Sequence, residues 1–554
     1  MKKQLTKFVV IISITTTSIF TLGFVDSYFE VSKNLDIFAT LFRELNIYYV
    51  DDANPGDLMK TGIDAMLESL DPYTNYIPES KMEDYKMMTT GQYGGIGALI
   101  QKQGEYVIIS EPYKGFGAFK AGLRAGDKIL EIGGKSAKNK NSSEIREFLL
   151  GEPGTTVILK IERPGTADPI MKTVTREEVK IKDVPYYAMV DDSIGYIKLT
   201  GFTESASSEV KAALKELTAQ NAKSFVLDLR GNGGGLLREA VNIVNFFVPQ
   251  GTEVVYTKGK VKDWDKSYKA LSAPFSTTVP LVVLVDGGSA SASEIVSGSL
   301  QDNDRAVIIG SQSFGKGLVQ QVRPLSYNSK LKVTVAKYYT PSGRCIQKLD
   351  YSHKNKAGKA EEVPDSLITE FKTVKSNRSV FDGNGIAPDI KAKRDYLSDI
   401  TAILVVKHLI FNYATEYKLA HDSIASVANF SITDKEYEAF VKFLDGKDYE
   451  YTTKSESLLK ELEESAKKDK YYDGVQKEYE ALKIKLGEHK DDDLYQFKDE
   501  IIMVLENEII ARYYFQIGQA EGALKSDPAF DEALKTLNDI KKYRSILEGT
   551  YSKQ

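Results

Sequence analysis

The spacing of apolar residues changes along the chain and divides it into regions of different type. Between residues 27 and 85 the apolar positions recur at helical spacing, which predicts helices that pack through apolar stripes. The stripes are formed by Leu35, Phe38, Leu41 and Leu45, and by Leu58, Ile63, Met66 and Leu70. We expect a small N-terminal helical region whose stripes are ordinary core positions.

Residues 86–178 carry short β-rich runs separated by glycine turns. The runs are Val107–Ile109, Lys128–Leu130 and Val157–Leu159, each bounded by Gly, Pro or Asn. Short strands and turns in a stretch of this length predict one compact domain of mixed type.

Strands and amphipathic helices alternate through residues 179–395. A strand, a glycine-rich loop and a helix follow one another twice, and a third strand comes after them. The predicted elements are a strand at 224–229, a helix near 237–247, a strand at 280–285, a helix near 293–300 and a strand at 306–309. This alternation is typical of an α/β core.

The pattern is again helical from residue 396 to residue 554. Leu494, Phe497, Ile501 and Leu505 form an apolar stripe, and Asp527 before Pro528 is a typical helix start. The highly charged residues 454–490 predict a solvated helical face. The predicted fold is therefore multidomain, α/β and α+β, with a mixed domain before an α/β core and helical regions on both sides.

The first residues predict an export signal at positions 1–26. Lys2, Lys3 and Lys7 precede a largely apolar run that ends at Val25. A short membrane anchor has the same pattern, and no small-residue cleavage site is obvious. We expect an exported protein, either periplasmic or anchored to the outer face of the cytoplasmic membrane, that contacts the membrane only through this segment.

Charge and rare residues limit the chemistry. The 554 residues carry a net charge of −5, which leaves no basic surface for nucleic acid, and none is expected as a partner. Cys345 is the single cysteine, so no internal disulfide can form. All histidines follow residue 350; they are His353, His408, His421 and His489.

A serine-rich run lies where a predicted strand meets a predicted helix. Residues 286–294 read Asp-Gly-Gly-Ser-Ala-Ser-Ala-Ser-Glu. A serine here can present its hydroxyl at the positive end of the helix, where backbone N–H groups can also hold a developing oxyanion. Serines at helix starts often act only as caps, and local sequence does not choose among Ser289, Ser291 and Ser293.

A lysine flanked by glycines follows the third strand. Residues 310–317 read Gly-Ser-Gln-Ser-Phe-Gly-Lys-Gly, which has the spacing of a phosphate-binding P-loop. Gly317 lacks the hydroxyl that would bind Mg²⁺, and residues 318–322 predict a strand where a P-loop opens a helix. Nucleotide binding is therefore a weak alternative.

Lys316 can instead serve as a base if it is buried. A free lysine has a pKa near 10.4, so action at neutral pH needs a shift of roughly 3 units, or about 4 kcal/mol, which burial can supply. No histidine lies near either glycine-rich run, so a triad would need one from elsewhere, whereas a serine–lysine pair needs none.

A third glycine-rich run follows the first predicted strand. Residues 227–235 read Leu-Asp-Leu-Arg-Gly-Asn-Gly-Gly-Gly, with Leu236 where a dinucleotide fingerprint requires glycine. Glycines in this position let backbone N–H groups approach a substrate closely, as either an oxyanion hole or a peptide-binding strap requires.

Taken in order, these runs resemble the C-terminal processing peptidases, or tail-specific proteases. The family pattern is matched at 229–235, 289–294, 301–306 and 314–320, and also by Tyr-Thr-Pro-Ser-Gly-Arg at 339–344 and Gly-Ile-Ala-Pro-Asp at 385–389. Each motif alone is modest, but the ordered set is specific and spans roughly residues 30–390.

The resemblance implies a role for each matched residue. Ser291 is the expected nucleophile and Lys316 the general base. Gln320, four residues further and so on the same face of a strand, would orient the lysine. Gly234 and Ala292 would form the oxyanion hole. The resemblance also implies a crotonase/ClpP-like core, a structural role for Asp302, and no metal or organic cofactor.

Two further runs resemble a PDZ domain. They are Tyr-Gly-Gly-Ile-Gly-Ala at 93–98 and Ala-Gly-Leu-Arg-Ala-Gly-Asp at 121–127. The resemblance implies that Gly94, Gly95, Ile96 and Gly97 bind the C-terminal carboxylate of a substrate, which adds to the domain as a strand. Relatives that regulate activity through this domain often have an arginine where this chain has Leu150, so that form of control is not expected.

The sequence therefore predicts a serine endopeptidase that processes exported proteins from their free C-termini. The rival interpretation is a peptide-binding scaffold with an inert core, which the intact Ser291, Lys316 and Gln320 disfavour. The helices of 396–554 carry no recognisable chemistry; binding an adaptor protein and forming a homo-oligomer are both compatible with them.

Overall fold

The structure is a computed structural model that describes residues 28–355, 358–392, 397–488 and 492–551. The predicted signal or anchor at 1–26 lies outside the described residues. The chain forms two compact units: residues 28–76 with Leu331–Val333, and the remainder. In the described ranges no helix has the length and apolarity needed to span a membrane.

The N-terminal unit is helical, as predicted. Its helices are α1 (28–48) and α2 (Pro55–Glu68), followed by the short strand β1 (Asn75–Ile77). Helix α2 begins with Pro55, and the Asn54 side chain accepts hydrogen bonds from Gly56 N and Asp57 N. The prediction that the stripes are core positions is wrong, because Leu35 and Leu41 remain 65% and 52% exposed. Hydrophobic periodicity specifies a helix but not what covers its stripe.

The second unit starts with helix α3 and a β-rich domain. In chain order the elements are α3 (Met82–Thr90), β2 (Gln92–Gly95), β3 (Ala98–Gln103), β4 (Tyr106–Pro112), α4 (Gly117–Lys120), β5 (Lys128–Ile132), β6 (Lys135–Ser136), α5 (Ser142–Leu149), β7 (Thr156–Glu162), β8 (Ile170–Thr175) and β9 (Glu177–Lys180). One sheet has the order β3-β4-β5-β7-β8, with β6 beside β5, and β2 pairs with β9. Strand β3 is therefore an edge strand, as a peptide-binding strand must be.

The α/β core follows. In chain order its elements are β10 (Tyr186–Asp191), β11 (Ile194–Lys198), α6 (Ala206–Ala219), β12 (Ser224–Asp228), α7 (Leu237–Asn245), β13 (Glu253–Gly259), β14 (Lys266–Lys269), β15 (Leu281–Val285), α8 (Ala292–Asp302), β16 (Val307–Gly310), β17 (Leu318–Pro324), β18 (Lys330–Tyr339), β19 (Leu349–Lys354), β20 (Ala360–Glu362), β21 (Glu370–Lys372), β22 (Ser379–Phe381) and β23 (Ile390–Lys391). The predicted strands and helices are all confirmed within a few residues.

The central sheet has the order β10-β11-β12-β15-β16-β23. Only β10 is antiparallel to its neighbour; the strands from β11 to β23 run parallel. Successive residues of the buried strands face opposite sides, so Leu227 and Val283 contact α6, α7 and α8. The apolar strands thus read as continuous runs because both faces are covered.

The C-terminal region consists of helices. They are α9 (Asp399–Val406), α10 (Leu409–Ala420), α11 (Asp434–Phe443), α12 (Lys454–Lys468), α13 (Tyr472–Glu488), α14 (Asp493–Gln496), α15 (Lys498–Gly522), α16 (Pro528–Asn538) and α17 (Ile540–Leu547). The predicted stripe is buried at Leu494, Ile501 and Leu505. The Asp527 side chain caps α16, as its sequence predicts. Helices α16 and α17 lie on the second face of the central sheet, where Phe530 and Tyr543 pack on the strands.

Candidate active site

Three loops meet at one edge of the central sheet. Parallel pairing places Asp228 beside Leu284 and Val285 beside Gly310, so β12, β15 and β16 end side by side. The loops that follow these strands are the three glycine-rich runs of the sequence. Ligands of open α/β sheets bind outside the carboxyl ends of the strands, which makes this edge the candidate site.

Ser291 stands at the start of helix α8 with an unusual backbone. Its φ is 54° and its ψ is −110°, a backbone conformation that residues other than glycine rarely adopt. Gly234 makes this turn possible, since a Cβ at that glycine would lie 2.7 Å from Ala290 O and 2.9 Å from Ser291 Cβ. Strained residues of this kind persist only where the surroundings fix them, and they concentrate at functional sites.

The structure separates the three serines that the sequence left equivalent. Ser289 is fully buried, donates to Leu229 O at 2.9 Å and accepts from Asp286 N at 2.9 Å. Ser293 is also fully buried and donates to Asn232 O at 2.8 Å. Ser291 is partly exposed. Two of the three hydroxyls are thus engaged in the scaffold, and Ser291 is the one that a substrate can reach.

Glu294 connects the serine loop to the lysine loop. Its side chain is fully buried on the first turn of α8. Its Oε2 accepts from Ser291 N at 2.8 Å and from Lys316 N at 2.9 Å. Its Oε1 accepts from Ser313 Oγ at 2.6 Å and from Gly315 N at 2.7 Å. One carboxylate therefore fixes the backbone of both predicted catalytic residues.

Lys316 precedes strand β17, which begins at Leu318. The lysine is partly buried. Because it lies outside the strand, the alternation argument that placed Gln320 on its face does not apply. Gln320 lies in β17 and donates from Nε2 to Thr334 Oγ1 at 3.3 Å.

Tyr338 links the same two loops from the neighbouring strand β18. Its N–H donates to Gly317 O at 2.9 Å, and its hydroxyl donates to Ser291 O at 3.2 Å. Burial raises the pKa of Tyr338 well above its usual range, so the phenol stays a donor. The backbone around Ser291 is therefore held from both sides.

The two predicted oxyanion donors differ in whether their N–H groups already have an acceptor. Among the described residues the Ala292 N–H has no acceptor, and it lies at the positive end of α8, an 11-residue helix. The Gly234 N–H donates to Asn232 Oδ1 at 2.9 Å. In this conformation Ala292 is thus available to an oxyanion, whereas Gly234 must first release its side-chain partner.

Asn232 is a second organising residue that the motif analysis did not assign. It is fully buried, and its Nδ2 donates to Leu199 O at 2.8 Å. Its backbone carbonyl accepts hydrogen bonds from Ala290 N at 3.0 Å and from the Ser293 hydroxyl. The glycine loop is thereby fixed against the serine loop.

Sequence contained signals for both organising residues. Glu294 stands three residues after Ser291, which is the spacing of a capping box, and Asn232 lies inside the quoted glycine motif. What the sequence could not show is that one carboxylate reaches the second loop.

Buried ion pairs hold the elements around the site. Arg344 and Asp302 are both fully buried and pair at 2.7 Å, consistent with the structural role expected of Asp302. Arg230 pairs with Asp228 at 2.7 Å and with Asp527 at 2.5 Å, which ties the glycine loop to α16. Although burial alone would raise it, Arg230 and Lys198 hold the pKa of Asp228 well below its usual range.

The predicted carboxylate-binding loop lies between β2 and the edge strand β3. Gly94 and Gly95 pair with Glu178 and Glu177 of β9, and a Cβ at Gly94 would lie 2.3 Å from a backbone oxygen. The chain then turns at Gly97, whose φ is 72°. In the described part of the chain the N–H groups of Ile96 and Gly97 have no acceptor. Two adjacent free N–H groups beside an open strand edge suit a terminal carboxylate.

Family models match three parts of the chain. The peptidase family S41 model matches residues 193–352, a PDZ domain model matches 108–163, and a model described as the C-terminal helical domain of a probable PDZ-protease matches 400–537. The fold and the site thus define a serine-type peptidase with a PDZ domain.

Curated relatives make the family specific. A carboxy-terminal-processing protease of Bartonella bacilliformis is 39% identical over 57% of this chain and 73% of its own length. The carboxy-terminal processing protease CtpA of Bacillus subtilis is 32% identical over 58% of this chain and 68% of its own length. The chain belongs to the carboxy-terminal processing protease family. A photosystem II D1 C-terminal processing protease structure is 28% identical over 64% of this chain and 92% of that chain, with a TM-score of 0.35.

Proposed function

We propose that this chain is a serine endopeptidase that cuts exported proteins from the C-terminal end, with Ser291 as nucleophile and Lys316 as general base. The observation that carries the proposal is the buried Glu294 carboxylate, which hydrogen-bonds the backbone of both residues. A partly exposed serine on a strained helix start, held in one frame with a lysine, is an arrangement for nucleophilic attack.

The proposed reaction has two steps. The neutral Lys316 amine takes the proton of the Ser291 hydroxyl as the oxygen attacks the scissile carbonyl carbon. The lysine then gives that proton to the leaving amine, and an acyl-enzyme ester remains. In the second step the lysine takes a proton from water, hydroxide attacks the ester, and Ser291 recovers its proton. The chemistry needs no metal or organic cofactor.

The N–H of Ala292 is the first proposed oxyanion donor. The Ser291 N–H is already used by Glu294, so Ala292 offers the first unengaged N–H of the helix. We assign Gly234 as the second donor, once its hydrogen bond to Asn232 is broken. Losing one donor of such a pair lowers kcat by about 10²–10³-fold in well-studied cases.

We propose that the PDZ domain supplies the preference for chain ends. The N–H groups of Ile96 and Gly97 would bind the terminal carboxylate, with Gly94 and Gly95 shaping the loop. The peptide would then pair with the edge strand β3. Gln320 keeps its proposed role in orienting Lys316.

The remaining assignments follow the same proposal. Residues 1–26 are a signal or anchor, 27–85 a helical region, 86–178 the PDZ domain, 179–395 the peptidase core and 396–554 the helical C-terminal domain. The ranges matched by the family models support this division. Export to the periplasm, or anchoring at the outer face of the cytoplasmic membrane, rests on the lysines and apolar run of the first residues.

The test is cleavage of an unstructured protein with an apolar C-terminus. Wild type should cleave it, whereas Ser291→Ala and Lys316→Ala should each lose nearly all activity, by about 10³-fold or more. Ser208→Ala and Lys223→Ala change exposed residues outside the three loops and should remain active. The assignment is wrong if both site variants cleave like wild type. Tight binding by wild type without cleavage would instead favour the peptide-binding scaffold.

A further inference from the structure

Glu294 is an unusual acid for a protein interior. Its side chain is fully buried, and its carboxylate accepts four hydrogen bonds from backbone N–H groups and a hydroxyl. Several other buried acids of this unit pair with an arginine; examples are Asp127 with Arg163, Asp228 with Arg230, and Asp302 with Arg344. Hydrogen bonds to Glu294 come from two separate loops.

This arrangement costs stability. Burial raises the pKa of Glu294 above its ordinary value even though four hydrogen bonds lower it. Taking a carboxylate charge out of water is costly compared with a neutral group of the same shape. Stability alone therefore does not explain a carboxylate at this position, and residues that break a stability rule concentrate at functional sites.

The four donors reveal what the carboxylate does. The first is the backbone of Ser291, and the other three come from the lysine loop: the Ser313 hydroxyl and the N–H groups of Gly315 and Lys316. Glutamate supplies acceptor sites on both oxygens and donates nothing, so it can serve four donors at once. A neutral glutamine can serve only the donors on one side.

We propose that Glu294 is the positioning residue of the proposed serine–lysine pair: it holds the Ser291 turn and the Lys316 loop in one frame and, by using the Ser291 N–H, leaves the Ala292 N–H for the oxyanion. This inference rests on the proposed function. A displacement of about 1 Å between reacting groups can cost about 10²-fold in rate, so such a frame has a measurable effect. Glu294 does not itself touch substrate.

Substitutions at Glu294 give a graded test. In Glu294→Gln the amide oxygen can still serve Ser291 N and Lys316 N, while the amide N–H groups turn toward Ser313 and lose Gly315. We expect kcat to fall about 10-fold in Glu294→Gln and at least about 10²-fold in Glu294→Ala. KM for a substrate whose C-terminus binds the PDZ domain should change less than about 3-fold in both variants, because the PDZ loop is not altered.

Thermal unfolding separates positioning from scaffolding. Glu294→Gln removes a charge that burial disfavours, so its Tm should equal or exceed that of wild type while its kcat is lower. The matched control is Glu239→Gln, which neutralises another buried glutamate whose carboxylate accepts from Ser207 N at 3.0 Å and contacts neither catalytic loop. It should keep the kcat of wild type.

Two results would overturn the inference. One is a Glu294→Gln variant with the kcat of wild type. The other is a variant whose Tm falls so far that its smaller folded fraction explains the whole loss of activity. If wild type itself does not cleave and only binds tails, the proposed function fails first. Active wild type with unaffected Glu294 variants refutes the positioning role alone.

Discussion

The loops around Ser291 and the helix α15 show two different ways in which this chain departs from regular structure. At Ser291 the backbone is strained where the glycine-rich and serine-rich motifs meet, with Gly234, Asn232 and Glu294 all close in space. In α15 the break falls at Phe515, with φ 56° and ψ −158°, in a helix whose sequence gives no glycine or proline there. Sequence motifs around Ser291 indicate the strained turn there. The break at Phe515 depends instead on a residue far away in the chain.

That residue lies in the PDZ domain. Gln516 N, released by the break in α15, donates to Glu111 Oε1 at 3.1 Å across 405 positions of sequence. The Phe515 ring meets Phe119 edge-on at 5.6 Å. A backbone N–H that is partly withdrawn from water needs an acceptor, and here a neighbouring domain supplies it. The C-terminal helices thus hold the PDZ domain as well as covering the core sheet.

The largest effect expected from the comparison is at Gly234. Gly234→Ala forces a Cβ to within 3.0 Å of backbone atoms at 290–292 and at a φ of 100°. We expect peptidase activity to fall at least about 10²-fold, because the Ser291 turn must shift. Gly251 has a similar φ of 88° with nothing within 4 Å, so Gly251→Ala is the matched control.

The control isolates the cost of backbone strain. Gly251→Ala should lose about 1–2 kcal/mol of unfolding free energy from its positive φ and keep its activity. If Gly234→Ala is also active, the turn is not as tightly constrained as its contacts indicate.

The next effect concerns the ion pairs that hold each region. Arg344→Met leaves the fully buried Asp302 without its partner and should lower the unfolding free energy of the core by about 3–5 kcal/mol. Urea unfolding followed by Trp264, the single tryptophan, measures this. Lys407→Ala breaks an exposed pair with Asp448 in the C-terminal region and should cost about 0–1 kcal/mol. Equal losses would contradict the contrast between the two regions.

The smallest effect is at the contact between α15 and the PDZ domain. Phe515→Ala removes the contact with Phe119 and should cost about 1 kcal/mol or slightly more. Amide hydrogen exchange should speed up in α4 and β4, while kcat on a short peptide stays that of wild type. Unchanged exchange in those segments would mean that other contacts carry the PDZ attachment.

Sequence predicted the parts of the site that depend on residues close together in the chain. The strand–loop–helix order, the α8 start and the Asp527 cap all follow from local pattern. The choice of Ser291 over Ser289 and Ser293 needed either the family resemblance or the burial of the other two hydroxyls. Gln320 illustrates the limit, since the strand argument fails once Lys316 lies before β17.

The rest of the fold could not be predicted because its determinants are far apart in the chain. Nothing near Phe515 specifies the acceptor at Glu111, and nothing near α16 specifies the sheet face that it covers. In α1 the apolar spacing correctly predicted a helix, but the apolar stripe is exposed although it was expected to be buried.

The most direct test of the account is to trap the acyl-enzyme. Wild type is mixed briefly with a peptide that contains one internal ester bond and ends in a free C-terminal carboxylate for the PDZ domain. The mixture is quenched in acid and digested for mass spectrometry. The account predicts an acyl adduct on Ser291 that is absent from Ser291→Ala and greatly reduced in Lys316→Ala. An adduct on Ser289 or Ser293, or equal labelling in Lys316→Ala, would contradict it.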